Sequence, residues 1–333
     1  MAARVTPLGE FDLIRRFFKR PVHRAALGVG DDCALLQLGA GQLLAVSSDM
    51  LVEGRHFFVG VDPESLGHKA LAVNLSDLAA CGALPLAFTL ALALPSVDEA
   101  WLDGFSRGLF ALADAHACEL VGGDTTRGPL TICVTVFGEV PAPGGASQAL
   151  LRSGARAGDD IYVSGQLGDA RLALEALQGA ITLPVAVLAQ ARLRLEKPTP
   201  RVALGLALRG IASSAIDVSD GLTGDLGHIL EASRLGAAVD TEAARRLLGA
   251  DLQGIDPAPS PDSVLEWVLA GGDDYELLFT ASPTQRGAVA QASRTSATPV
   301  ARIGCMQAQP GLRLHDGEGR AITRSFHAFD HFA

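Results

Sequence analysis

Aspartates recur in this 333-residue chain beside Gly or Ser, at the ends of apolar runs. The instances are Gly30-Asp31-Asp32, Ser47-Ser48-Asp49, Asn74-Leu75-Ser76-Asp77, Gly122-Gly123-Asp124, Asp217-Val218-Ser219-Asp220-Gly221 and Gly271-Gly272-Asp273-Asp274. A carboxylate just past a buried strand sits at a sheet edge, where loops converge. Several carboxylates meeting there would repel one another unless cations neutralised them. Hard oxygen ligands suit Mg²⁺, which is held by a few carboxylates together with substrate phosphates. Each motif also has a plainer reading. Asp beside Gly is ordinary turn chemistry, and Asp217 or Asp220 would cap a helix beginning near Thr223. Asp77 differs, because it lies inside a helical stretch where no cap is available. Six such motifs in one chain argue for a shared cation site more than for six unrelated turns.

Other chemistries find little support. There is no Walker A sequence, no Gly-rich kinase loop and no H-R-D motif. Gly165-Gln166-Leu167-Gly168-Asp169, between a strand and a helix, offers backbone N–H groups to a phosphate. The eight histidines lack metal-ligand spacing, and no Ser/His/Asp triad emerges from spacing alone. Net charge is -10 without a Lys/Arg run, so nucleic acid is not an expected partner. Apolar stretches such as 84–95 are too short to span a bilayer. Five cysteines without a C-x-x-C pair, and an N-terminus without an apolar signal core, lead us to expect a cytoplasmic protein with free thiols.

The elements that must position these aspartates follow from periodicity. A buried strand over 43–46 is expected to run into Ser47-Ser48-Asp49. Apolar spacing over 64–81 predicts a helix stopped by Gly82. A strand over 86–94, a helix over 99–117 and a strand over 130–140 follow. The Pro/Gly/Ser-rich run 141–147 marks a boundary. Beyond it we expect strands at 161–164, 215–218, 275–280 and 299–303. Helices are expected at 169–177, 201–209, 223–233 and 284–292, with a short one after the 256–261 loop. Two domains of mixed α/β and α+β type result: 1–140, a linker over 141–150, and 151–333.

The strings GVGDDCALL, SSDMLVEGRHF, HKALAVNLSDLAACGA, VGGDTTRGPL, LRSGARAGDD, AIDVSDGLTGDLGHIL and LAGGDDYELLFT occur in order along nearly the whole chain. With the opening GEFDLIRRFF and closing FDHF, this set resembles the thiamine-monophosphate kinase family. The resemblance implies a two-domain aminoimidazole ribonucleotide synthetase-like (PurM-like) fold. An N-terminal α/β domain would bind ATP and Mg²⁺ and pair with its copy in a homodimer, and a C-terminal α+β domain would cover the site. It implies phosphorylation of thiamine monophosphate by ATP, with several Mg²⁺ ions. Residue by residue, Asp32, Ser47, Ser48, Asp49, Asp77, Asp124, Asp217 and Asp220 match metal ligands, with Asp49 and Asp124 closest to the chemistry. Gly123, Asp124, Arg152 and Ser219 match ATP contacts, and His56 matches a substrate contact. Asp273 stands where relatives carry Glu near the thiamine, and Phe326 where a Trp is expected.

On this reading a phosphate-monoester oxygen attacks the γ-phosphorus in line. Such an ester has a second pKa of about 6, so no strong general base is needed. The difficulty is anion meeting anion, which explains a chain rich in acids and poor in catalytic His or Lys. Alternative readings are another ATP-using enzyme of the same fold, or a nucleotide- or thiamine-binding protein without catalysis. The plainer alternatives pair Arg152 with Asp159 or Asp160, make His56 a polar loop residue, and make Phe326 ordinary core.

Overall fold

The computed structural model describes residues 9–30 and 32–326; Asp31 and the closing FDHF string lie outside them. The chain divides into two compact units, Met1–Leu78 with Leu84–Ser147, and Ala79–Ala83 with Gln148–Ala333.

The first unit begins with α1 (Glu10–Leu13), which widens into a π-helical turn at Ile14–Phe18. Then come β1 (Gln42–Val52), α2 (Pro63–Ala80), β2 (Leu84–Leu94), α3 (Glu99–Ala115), β3 (Glu119–Arg127) and β4 (Thr131–Pro141). Its sheet has the order β1-β4-β2-β3, antiparallel except for the parallel β2–β3 pair. The helix expected over 64–81 is present, and Gly82 follows it at φ +61°. It is not amphipathic, however. Leu66, Leu71, Val73, Leu75 and Leu78 are buried, and so are Lys69, Asn74 and Ser76, so α2 is a central helix. Its approach to α3 is backbone to backbone: a Cβ on Gly67 would sit 2.0 Å from the Phe105 carbonyl oxygen, and one on Gly108 would sit 1.8 Å from that of Glu64. Asp98 starts α3 by accepting the N–H groups of Ala100 and Trp101.

One face of this sheet carries Ser47, Asp49 and Leu51 of β1 with Leu90 of β2 and Val134 of β4. The other carries Val46, Ser48 and Met50, aligned with Phe137, Thr135 and Cys133 of β4. Val46 and Met50 are each 54% exposed. Residues 43–46 were expected to be a buried strand; Leu43, Leu44 and Val46 are instead exposed. The Ser-Ser-Asp triplet lies inside β1 rather than beyond its end, because the ladder to β4 continues to Val52↔Thr131.

The second unit has β5 (Asp160–Ser164), α4 (Asp169–Leu177), α5 (Val185–Glu196), α6 (Val202–Ala207) and β6 (Ser214–Val218). It continues through α7 (Leu222–Ser233), β7 (Gly236–Asp240), α8 (Thr241–Arg245), α9 (Pro261–Ala270) and β8 (Glu276–Ala281). The final elements are α10 (Arg286–Thr295), β9 (Val300–Gln307), β10 (Gly311–His315) and β11 (Ala321–Ile322). The sheet order is β11-β10-β7-β9-β5-β8-β6. Ile161, Val163, Ile216, Val218, Leu226, Ile229, Leu265, Leu278 and Ile303 form its main core. β5 and β8 are buried at every position, as strands covered on both faces must be. Among the described residues no helix is long and apolar enough to cross a membrane.

His116 at the end of α3 is held below the usual histidine range, first by burial and then by the nearby charge of His68. The unfolded chain therefore binds a proton that the fold disfavours, and this contribution to stability is full above about pH 6.5 and lost on acidification below it. Urea midpoints measured from pH 7.5 to 5 are expected to fall less steeply in His116→Gln than in the parent protein.

Candidate functional site

The first cluster forms where β1 meets α2. Asn74 and Asp77, three residues apart, share a face of α2. The Ser47 hydroxyl donates to Asp77 Oδ2 at 2.5 Å. The Asp49 N–H donates to Asn74 Oδ1 at 3.0 Å, and Asn74 Nδ2 donates back to the Ala70 carbonyl. Asn74, fully buried, thus spends its amide fixing the backbone that carries Asp49. The sequence reading did not single it out, although its spacing from Asp77 was a signal.

Strand alternation separates Ser48 from this cluster. Its hydroxyl lies on the opposite sheet face, within 2.8 Å of Thr135 Oγ1 and 3.2 Å of the Val134 carbonyl. The expected ligand set therefore splits: Ser47, Asp49 and Asp77 on the helix side, Ser48 on the other. Asp124 joins the second set, because it aligns with Ala91, which aligns with Cys133. Like Asp49, Asp124 lies within a strand and not at a strand end. Three strand spacings, about 14 Å, separate β1 from β3. Gly123 is a steric requirement: at φ +150° a Cβ would lie 1.8 Å from the Leu90 carbonyl oxygen.

Asp32 sits exposed in a loop closed by the Leu27↔Leu35 bridge. Glu119 fastens the segment before it by accepting the N–H groups of His23, Arg24 and Ala25. His56 accepts the Val52 N–H on Nδ1 at 3.0 Å, which leaves Nε2 as the protonated nitrogen of the neutral ring.

The second cluster is in the other unit. Asp217 is buried in β6, and Asp220 follows in the loop to α7. Asp225 Oδ2 accepts three consecutive N–H groups, from Ser219 (3.1 Å), Asp220 (3.2 Å) and Gly221 (3.2 Å). Burial, helped by the Asp220 charge, pushes the Asp225 carboxyl up to about 7 against those three bonds. The Ser219 carbonyl accepts from the Asp273 N–H at 2.7 Å, and the Val218 carbonyl accepts from that of Tyr275 at 2.8 Å. Asp273 and Tyr275 have φ of +62° and +52°, a left-handed conformation costly for non-glycine residues. Anchors on both sides hold that strained strap. Asp274, fully buried, accepts the Gly168 N–H with both oxygens, and burial holds its carboxyl well above the usual range. Glu276 receives Arg194, Arg201 and the Ser164 hydroxyl at 2.5–2.6 Å.

Several expectations change here. The 165–169 turn cannot offer a row of N–H groups to a phosphate. Those of Gly165, Leu167 and Gly168 already serve Pro299, Leu247 and Asp274. Arg152 does not pair with Asp159 or Asp160: Asp159 accepts from Ser213 and the Arg156 N–H, and Asp160 pairs with Arg286 and Arg302. Arg152 is exposed. Phe326 is buried in the main core with the Arg324 guanidinium 5.1 Å over its ring.

Among the described residues no three His, Cys, Asp or Glu side chains gather closely enough to hold an ion alone. The donor chemistry nonetheless fits Mg²⁺. Both clusters offer carboxylate and hydroxyl oxygens, and Mg²⁺ needs only one or two carboxylates when phosphates complete its shell.

Residues 30–140 match the family model for AIR synthase related protein, N-terminal domain. The chain is 47% identical over 331 residues to thiamine-monophosphate kinase of Salmonella typhimurium, covering 98% of each. A crystal structure of thiamine-monophosphate kinase from Stenotrophomonas maltophilia K279a is similar at a TM-score of 0.80, with 46% identity over 90% of this chain and 92% of that one. AaThiL complexed with AMPPCP and TMP is similar at a TM-score of 0.74, with 27% identity over 89% of each chain.

Proposed function

The chain belongs to the thiamine-monophosphate kinase family, and from that premise we propose that it transfers the γ-phosphoryl group of ATP to thiamine monophosphate, yielding thiamine diphosphate and ADP. The observation that carries this reading is 47% identity sustained over 98% of both chains. A relative complexed with AMPPCP and TMP supports the substrate pair.

Residue roles are part of the same proposal. Asp32, Ser47, Asp49, Asp77, Asp217 and Asp220 hold Mg²⁺ through side-chain oxygens, and Ser48 and Asp124 do so from the other sheet face. When bound, Mg²⁺ neutralises charge between the two phosphate-bearing substrates. Gly123, Asp124, Arg152 and Ser219 face the nucleotide. With its N–H and carbonyl already committed, Ser219 has its hydroxyl to offer. His56 and Asp273 serve the substrate, Asp273 supplying a carboxylate for the cationic thiazolium. We assign most nucleotide and metal binding to 1–140, and to 151–333 the covering role together with the contacts of Arg152, Asp217, Ser219 and Asp220.

The transfer is direct. An oxygen of the thiamine monophosphate phosphate forms a bond to the γ-phosphorus. The bond from that phosphorus to the β,γ-bridging oxygen breaks, and ADP leaves with the electron pair. Single-turnover reaction with labelled γ-phosphate tests this; label on the protein along the pathway would exclude direct transfer. ADP release with thiamine monophosphate, the aminoimidazole-pathway substrate and selenide as parallel acceptors tests the function. Turnover confined to either of the latter two would move the chain's activity to a sister family.

The exposed apolar residues Leu44, Val46 and Met50 on the open sheet face support a homodimer. Light scattering is expected to give a dimer mass for the parent protein and a monomer mass for Val46→Arg; a parent monomer would exclude this interface. Free thiols at all five cysteines favour a cytoplasmic location.

A further inference from the structure

Three successive backbone N–H groups converging on one point make a concavity that binds anions. Residues 219–221 form such a concavity, and its occupant is internal: Asp225 Oδ2, on the first turns of α7, at 3.1–3.2 Å from all three nitrogens. Asp225 is 2% exposed, so no solvent competes for these bonds. Close contacts hold the loop in place around it. A Cβ on Gly221 would lie 2.9 Å from the Ala270 carbonyl carbon, and one on Gly272 would lie 2.7 Å from the Ser219 carbonyl oxygen. The same device recurs at Glu119, whose carboxylate fills the N–H groups of 23–25.

We propose that Asp225 is a positioning residue that commits the Asp217–Gly221 loop to a cation by occupying its backbone anion site from within. The reasoning is electrostatic. With the concavity open, three N–H dipoles would present positive potential to solvent and would favour a phosphate oxygen beside Asp220. With it filled, all three dipoles are spent on Asp225 Oδ2. What the loop then has to offer are carboxylates and the Ser219 hydroxyl, oxygen donors of the kind that a hard divalent cation takes. Geometry matters as well: pinning three consecutive amides fixes the backbone direction at Asp220, and outer-shell contacts of this kind set ligand orientation. The inference rests on the proposed Mg²⁺-dependent function and adds a residue that never touches substrate.

Two variants test it, both with the full chain. Asp225→Asn keeps an oxygen for the amides and loses the charge; Asp225→Ala loses both. Mn²⁺ binding, followed by water-proton relaxation without substrates, is expected to weaken at least about tenfold in Asp225→Ala and by a smaller factor in Asp225→Asn. Hydrogen exchange at the 219–221 amides is expected to accelerate in Asp225→Ala and to stay near parent rates in Asp225→Asn. A folded Asp225→Ala with parent Mn²⁺ affinity overturns the proposal. If that variant does not fold, Asp225→Asn decides, and parent Mn²⁺ affinity there overturns it equally. Thiamine monophosphate turnover of the parent protein is measured alongside. Its absence would remove the kinase reading, whereas the Mn²⁺ titration judges Asp225 without reference to any acceptor.

Discussion

Asp49→Asn is expected to lower kcat at least about a thousandfold, roughly 4 kcal/mol of transition-state stabilisation, while leaving the melting temperature within a few degrees of the parent. The fold should survive because main-chain bonds tie this position to its surroundings. The Asp49 N–H bonds to the buried Asn74, and the β1–β4 ladder continues on either side. Asn has the size and polarity of Asp, so α2 need not move. What disappears is one negative charge where two polyanionic substrates are expected to meet a cation, and phosphoryl transfer has little besides electrostatics and alignment to draw on. Steady-state turnover with thiamine monophosphate at saturating Mg²⁺, with a thermal melt on the same sample, checks both halves. Activity within tenfold of the parent would remove Asp49 from the ligand set.

The largest effect on stability is expected at Glu276. Its carboxylate, with no exposed surface, meets Arg194 at 2.6 Å, Arg201 at 2.5–2.6 Å and the Ser164 hydroxyl at 2.6 Å. Glu276→Ala leaves two largely buried guanidiniums without their counter-ion, a loss of about 3–5 kcal/mol. Replacing such a group by an apolar one costs most when its partners stay behind. Urea unfolding reads the loss directly; a midpoint shift equivalent to less than about 1 kcal/mol would show that the arginines find water or other partners. The Ser164 hydroxyl also donates to Glu276 while accepting the Leu277 N–H, so this network closes the β5–β8 junction beneath the strained 271–275 strap. Activity is expected to fall with stability.

How far the sequence revealed this arrangement depended on how local each signal was. The helices at 64–81, 99–117 and 169–177 were legible because caps, apolar spacing and stop glycines lie within the segments themselves. The helix Val185–Glu196 was not anticipated: Val185 and Leu193 are 86% and 59% exposed, so no clean stripe marks it. β7 and β10 are five-residue strands fixed by distant partners: they pair in parallel across some 70 residues of chain, and β7 pairs with β9 on its other edge. Ser47-Ser48-Asp49 reads as a turn by composition and is a strand because β4 pairs with it throughout. The candidate ligands themselves were legible through their recurrence and through family likeness. Their supports were less so: Asn74 and Glu276 bond to backbone or charge far along the chain, and Asp225 reaches back to a nearby loop whose amide directions composition does not reveal.

Gly123 illustrates how such a chain could mislead an experimenter working from function alone. A saturation screen scored on growth or turnover would return this position as intolerant of every substitution, and its place beside Asp124 would invite the conclusion that nucleotide contact alone forbids a side chain. The contact that forbids a side chain is the Leu90 carbonyl of the neighbouring strand, 1.8 Å from where a Cβ would stand. Intolerance here measures how closely two parallel strands are pressed together. It would persist in a chain that had lost all affinity for ATP, and scoring abundance separately from activity would tell the two causes apart.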